Sequence, residues 1–113
     1  MTACQSSLAT AFREGHRATI HSDNPMTPMD PLRVMRTSML RIPRKGTEPL
    51  APSERLTVGQ AFAVMTTHAA RQLGVEEHRG SLEQGKAADS VLLSYNPFNT
   101  TPEELDDIEV LGT

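Results

Sequence analysis

The sequence predicts a small α/β fold, and three features carry that expectation. An apolar, β-branched run, Ala18-Thr19-Ile20, stops at the polar trio His21, Ser22, Asp23 and the turn pair Asn24-Pro25, as the end of a strand does. Stretches with apolar residues at three-and-four spacing flank it, the helical period. Beyond Gly80 the pattern changes to glycine-marked turns and short apolar runs, which predicts a small β piece next to the α/β piece.

In chain order, Ser6 or Ser7 is placed to cap a short helix with Leu8, Ala9 and Phe12 on one face, and Gly15 is placed to end it in the left-handed conformation. Arg17 to His21 then reads as a strand. Asn24 to Met29 is punctuated by proline and reads as loop. Asp30 is a good N-cap, with Pro31 at the first helical position, where a missing amide costs nothing. The helix that follows puts Leu32, Met35, Met39 and Leu40 on one side and arginines elsewhere. Ile42 to Arg55 has loop composition and is too long for a tight connection.

Thr57 and Gln60 form a capping-box pair that opens the best helix in the chain. Val58, Ala61, Phe62, Met65, Ala69 and Leu73 form its core stripe, and Gly74 closes it. His68 falls off that stripe, which predicts a solvent-facing or cap-like side chain. Asp89 to Tyr95 reads as a strand stopped by Asn96-Pro97. Pro102 to Leu105 reads as a single helical turn, and Ile108 to Leu111 as a last short strand.

Composition narrows the function classes. The 113 residues contain no internal repeat, which allows at most one ordinary domain and is too short for a closed eight-stranded α/β barrel of at least ~200 residues. The apolar fraction of 37%, even with the seven glycines added, stays under the usual ~45–50%, so the core is lean. Net charge of −3 gives no reason to expect a nucleic-acid or anionic-membrane partner. A lone cysteine, Cys4, excludes an intramolecular disulfide and a cysteine-built zinc site. No window approaches ~18 apolar residues and no basic segment leads into an apolar run at the start, so the expected setting is cytoplasmic. Arg33, Arg36, Arg41, Arg44 and Lys45 make the middle of the chain basic. A solvated loop explains them most simply, and a phosphate-binding reading lacks interleaved aromatic residues.

The candidate catalytic residue is Asp23. Loops at the carboxyl ends of parallel strands line the open mouth of α/β folds, so a carboxylate there usually faces a ligand. The plainer alternative is an Asx turn, in which the Asp23 carboxylate accepts nearby backbone amides and does no chemistry. On an extended strand His21 and Asp23 point to one face and could share a metal, although two ligands do not make a site.

Further landmarks complete a pattern: Asp30-Pro31-Leu32, Leu56-Thr57-Val58 with Ala61, Thr66 with Ala69-Ala70, and the series Gly80-Ser81-Leu82-Glu83, Gly85-Lys86 and Ala88-Asp89 before an apolar strand. Together with His21-Ser22-Asp23 and Pro25 they resemble the C-terminal portion of a metal-dependent amidohydrolase, of the amidohydrolase 3 branch, over nearly the whole chain. The resemblance implies a distorted (β/α)8 barrel with a small β-sandwich. Residues 1–79 would be the last strand and helices of the barrel, and 80–113 part of the sandwich.

By the same resemblance Asp23 would be both catalytic residue and metal ligand at the end of the eighth strand. It would take a proton from water activated by a divalent metal, zinc by preference, and pass one to the leaving nitrogen of a small-molecule amide or related substrate. Gly80, Gly85, Lys86 and Asp89 would shape the sandwich and not the reaction. The histidines and the bridging residue that hold the metal in the family have no counterpart in His16, His21, His68 or His78. The expectation is therefore a fragment, from a truncated reading frame or a split enzyme, that alone is inactive and holds no tight metal. A complementing chain or homo-oligomer would complete it. The alternative is a non-catalytic remnant or interaction module packing on another chain.

Overall fold

A computed structural model describes residues 7–113. The reading that Ser6 caps the first helix, and those made of Cys4, lie outside the described residues. The architecture is α/β, with four short α-helices and a two-stranded antiparallel sheet among the described residues.

Helix α1 (Leu8–Arg13) starts after Ser7, whose side chain makes no capping bond. It ends where Gly15 takes φ +78 and His16 N–H reaches the carbonyl of Ala11, 2.8 Å away. Helix α2 (Pro31–Leu40) begins as its sequence indicates: the Asp30 carboxylate accepts from Arg33 N at 3.2 Å, and Pro31 takes the first turn. It ends at Arg41, which is left-handed (φ 57).

The loop after α2 is more ordered than its composition indicates. Pro52–Glu54 forms a 3₁₀ turn, and the Glu54 carboxylate accepts from the Thr10 backbone amide at 2.9 Å. The loop is pinned to α2 as well, by Arg41 Nε on the Leu50 carbonyl and Arg55 Nε on the Leu40 carbonyl.

Helix α3 (Val58–Met65) opens with the expected capping box, Thr57 N to Gln60 Oε1 at 3.0 Å and Gln60 N to Thr57 Oγ1 at 3.3 Å. The single helix expected to run from Thr57 to Leu73 is instead two. Thr66 (φ −121, ψ −87) separates α3 from α4 (Thr67–Gln72). The break has a local cause: the Thr66 hydroxyl donates back to the Phe62 carbonyl at 2.8 Å, a competing bond that bends helices. Gly80 lies against the break, where a Cβ would come within 2.5 Å of Ala70 Cβ and 3.3 Å of the Thr66 carbonyl. The bend turns Leu73 outward, so this residue of the expected stripe is 76% exposed.

The strands are shorter than expected. The run 89–95 pairs only at β1 (Leu92–Leu93), and the last strand is β2 (Val110–Gly112) instead of Ile108–Leu111. Leu92 faces Gly112 and Leu93 faces Val110, with a bulge between the two pairs. Ile108 is drawn into the core instead. The turn at Pro102 runs further than one turn, as a 3₁₀ helix over Pro102–Asp107, with the Glu104 carboxylate accepting from Thr101 N at 2.8 Å.

One core joins these elements. Leu8 and Ala9 from α1, Met35 and Met39 from α2, Ala61 and Val64 from α3, and Leu105 and Ile108 from the last stretch are buried together. Ala61, Val64 and Leu105 have no exposed surface. Phe62 stacks on Phe98 at 5.5 Å, which ties the Pro97–Asn99 turn to α3.

Arg17 to His21, expected as a strand, is irregular. Among the described residues no backbone amide from Arg17 to Ser22 has a carbonyl partner, because no parallel neighbour lies beside it. A strand needs such a neighbour whatever its side-chain preferences.

Candidate functional site

Segment 17–27 holds the sequence-predicted site and is fastened by side chains. The Ala18 carbonyl meets His68 Nδ1 at 3.1 Å, the Thr19 hydroxyl bonds Gln72 Oε1, and the Thr27 hydroxyl bonds the Ser22 carbonyl. His68, expected to be solvent-facing or cap-like, is half-buried and stacks on Phe12 at 5.1 Å, so it fastens α4 to this segment.

Asp23 sits at the turn. Its φ of 54 is left-handed, a region in which Asp is several-fold enriched over most residues. Its carbonyl, not its carboxylate, closes the turn by accepting from Met26 N at 2.8 Å, with a cis bond between Asn24 and Pro25. Its amide donates to His21 Nδ1 at 3.1 Å. The two residues are therefore adjacent, but the extended strand that would point both side chains to one face is not formed. The Asp23 carboxylate is exposed, and it has no hydrogen-bond or ion-pair partner among the described residues.

Beside this turn lies a cleft of about 370 Å³. His21 and Ser22 reach it from the segment, and Arg33, Thr37 and Arg41 reach it from α2 and its end. A larger groove of about 650 Å³ runs between α3, α4 and the residues after Gly80, with exposed Leu73, Leu82 and Val91 along it. Around Gly80 a small polar cluster forms: Lys86 Nζ donates to Ser81 Oγ at 2.9 Å, Ser81 Oγ donates to Glu83 at 2.6 Å, and Arg79 pairs with Asp89. The Ser81 hydroxyl and then the Lys86 charge hold the Glu83 carboxyl below its ordinary range.

The basic residues singled out in the sequence go separate ways. Arg36 Nε lies 3.3 Å from Asp106, an ion pair without hydrogen-bond alignment, whereas Arg33 and Arg41 turn to the cleft. Sequence reasoning passed over Thr37 and the cleft itself, although Arg33, Thr37 and Arg41 recur every fourth residue and so share one helix face.

No group of three or more His, Cys, Asp or Glu side chains able to hold a metal occurs among the described residues. A stable site takes about three protein ligands and an open position, so Asp23 with His21 does not by itself fit a metal. No helix among the described residues is long and apolar enough to cross a membrane.

Comparison with known proteins decides the ancestry. A sequence model of the amidohydrolase family matches residues 4–113. The chain belongs to the amidohydrolase family. It is 41% identical over 92 residues to Protein LONG AFTER FAR-RED 3 of Arabidopsis thaliana, covering 81% of this chain and 16% of that protein. Its identity to the N-substituted formamide deformylase of Arthrobacter pascens is 32% over 99 residues, 88% of this chain and 18% of the enzyme. A 37-residue stretch is 62% identical to the imidazolonepropionase of Acinetobacter baumannii, covering 33% of this chain and 9% of that enzyme. This amidohydrolase chain thus spans less than a fifth of the length of the relatives it matches. No solved structure matches it.

Proposed function

We propose that this chain is the carboxyl-terminal part of a hydrolase of non-peptide carbon–nitrogen bonds in small molecules, and that Asp23 is its catalytic carboxylate. Residues 1–79 correspond on this reading to the last strand and helices of a (β/α)8 barrel, and 80–113 to part of a small β-sandwich. The observation that carries it is the Asp23 carboxylate, exposed and uncommitted at a left-handed turn directly after His21-Ser22. Family membership and two relatives named as a formamide deformylase and an imidazolonepropionase support the reaction class.

In that role the carboxylate takes a proton from water as its oxygen attacks the carbonyl or imine carbon, and returns a proton to the nitrogen as the carbon–nitrogen bond breaks. Asp23 would contribute one ligand at most to a divalent metal, zinc by family preference, with the others supplied from outside this chain, in the same polypeptide or a complementing one. The unmatched amides of Arg17 to Ser22 fit a segment that pairs with neighbouring strands when those are present. The setting proposed is the cytoplasm.

The test is Asp23→Asn in the complete hydrolase containing this sequence. Turnover should fall by about 10²–10⁴-fold, the usual worth of a positioned proton carrier, with an unchanged circular dichroism spectrum. Undiminished turnover would instead leave the apolar groove beside α4 as this chain's contribution, a non-catalytic surface packing on other protein.

A further inference from the structure

The cleft beside the Asp23 turn is lined by opposite kinds of wall. Arg33, Thr37 and Arg41 recur at intervals of four residues along α2 and its end, and His21 and Ser22 line the cleft from segment 17–27. Leu8, Ile20, Ile42 and Leu50 supply apolar lining. No aspartate or glutamate lines it among the described residues, so the Arg33 charge meets no carboxylate in the cleft. The nearest candidate, Asp30, is occupied as the cap of α2 through Arg33 N.

The two arginines are held differently. Arg41 is anchored by its Nε bond to the Leu50 carbonyl at 2.8 Å, and Leu50 N returns a bond to the Arg41 carbonyl at 2.8 Å, which fixes that end of the cleft. The guanidinium of Arg33 has no hydrogen-bond or ion-pair partner among the described residues. A guanidinium beside apolar lining suits a carboxylate with a hydrocarbon body, because the guanidinium fork offers two parallel donors and the apolar side chains take the hydrocarbon. The volume sits at the low end of ligand pockets, ~300–1,000 Å³, and the lining has no aromatic ring on which a base could stack.

We propose that this cleft binds a small organic carboxylate with a compact aliphatic body, its charge on Arg33 and its hydrocarbon against Ile20, Ile42 and Leu50. The site is built from this chain's own residues, so the assignment does not depend on Asp23 being catalytic and is tested without turnover.

The experiment titrates the ¹⁵N-labelled full chain with hexanoate, acetate and hexylamine, following backbone amides by NMR. Hexanoate should produce saturable shifts at Ser22, Thr37 and Ile42, acetate should bind at least about tenfold more weakly for want of apolar contact, and hexylamine should leave these amides unmoved. Arg33→Gln should weaken hexanoate about fivefold or more while the remaining spectrum is retained, and Arg33→Lys should recover part of the loss. Raising salt from about 50 to about 500 mM should also weaken binding. Equal binding of hexylamine, an unaltered affinity in Arg33→Gln, or no saturable shift up to about 20 mM hexanoate would overturn the assignment.

Discussion

Leu105 and Asp23 stand for two regions ordered by different means. Around Leu105, three helical elements close on one another and leave no exposed surface on Leu105, Val64 or Ala61. Around Asp23, the segment 17–27 has strand-forming side chains, no strand neighbour, and a handful of side-chain bonds to hold it. The helical region meets most of its backbone needs within its own helices, with α2 and α3 capped by neighbouring side chains and α1 helped by Glu54. The chemistry-bearing segment cannot, because a strand's hydrogen bonds are always made to another strand.

Substitution should separate the two regions, the largest effect coming first. Leu105→Ala removes a fully buried side chain from the junction of α2 and α3 and should cost about 3 kcal/mol in urea unfolding. A loss under about 1 kcal/mol would mean that the helical region is not the stabilising half. His68→Ala breaks the contact to the Ala18 carbonyl and the stack on Phe12. It should cost about 1 kcal/mol globally yet strongly raise protease cleavage or amide exchange between Arg17 and Asp23. Equal loosening of α3 would erase the distinction drawn between the regions.

Acid should act on the helices and on the residues after Gly80 through three glutamates. Hydrogen bonds from the Thr10 side chain and backbone hold the Glu54 carboxyl below the ordinary 4.5, and bonds from the backbone and then the side chain of Thr101 do the same for Glu104. Glu83 is lowered by Ser81 and Lys86. A carboxyl whose folded pKa lies below its unfolded value stabilises the fold above the unfolded pKa and loses that contribution as pH falls through the folded one. The melting temperature should therefore drop between about pH 5 and pH 3, and Glu54→Gln should flatten part of that drop. A melting temperature constant across this window would show that these bonds do not persist in solution.

What was legible in the sequence was the cap and turn chemistry of adjacent residues. Asp30 with Pro31, Thr57 with Gln60, Gly15 and Asn96 with Pro97 all do in the structure what their local chemistry indicates. The helix break at Thr66 was not legible, because a threonine inside a well-patterned helix is ordinary until its hydroxyl bonds the carbonyl four residues back. The role of His68 depends on Ala18, fifty positions earlier, and no spacing rule reaches that far. At the candidate site the turn position of Asp23 was readable from Asn24-Pro25. Its left-handed backbone was not, since it replaces the strand geometry that the preceding residues favour. The family was legible from short motifs that survive in a chain spanning under a fifth of its relatives' length.

Gly80 carries a consequence out of proportion to its size. Its missing methyl is what lets the main chain settle into the notch at Thr66 and Ala70, and the stretch from Arg79 to Leu82 then runs along one bank of the apolar groove. The width of that channel is thus gauged by an absent atom: a side chain there would lift one bank away from the other and change what could be seated between them.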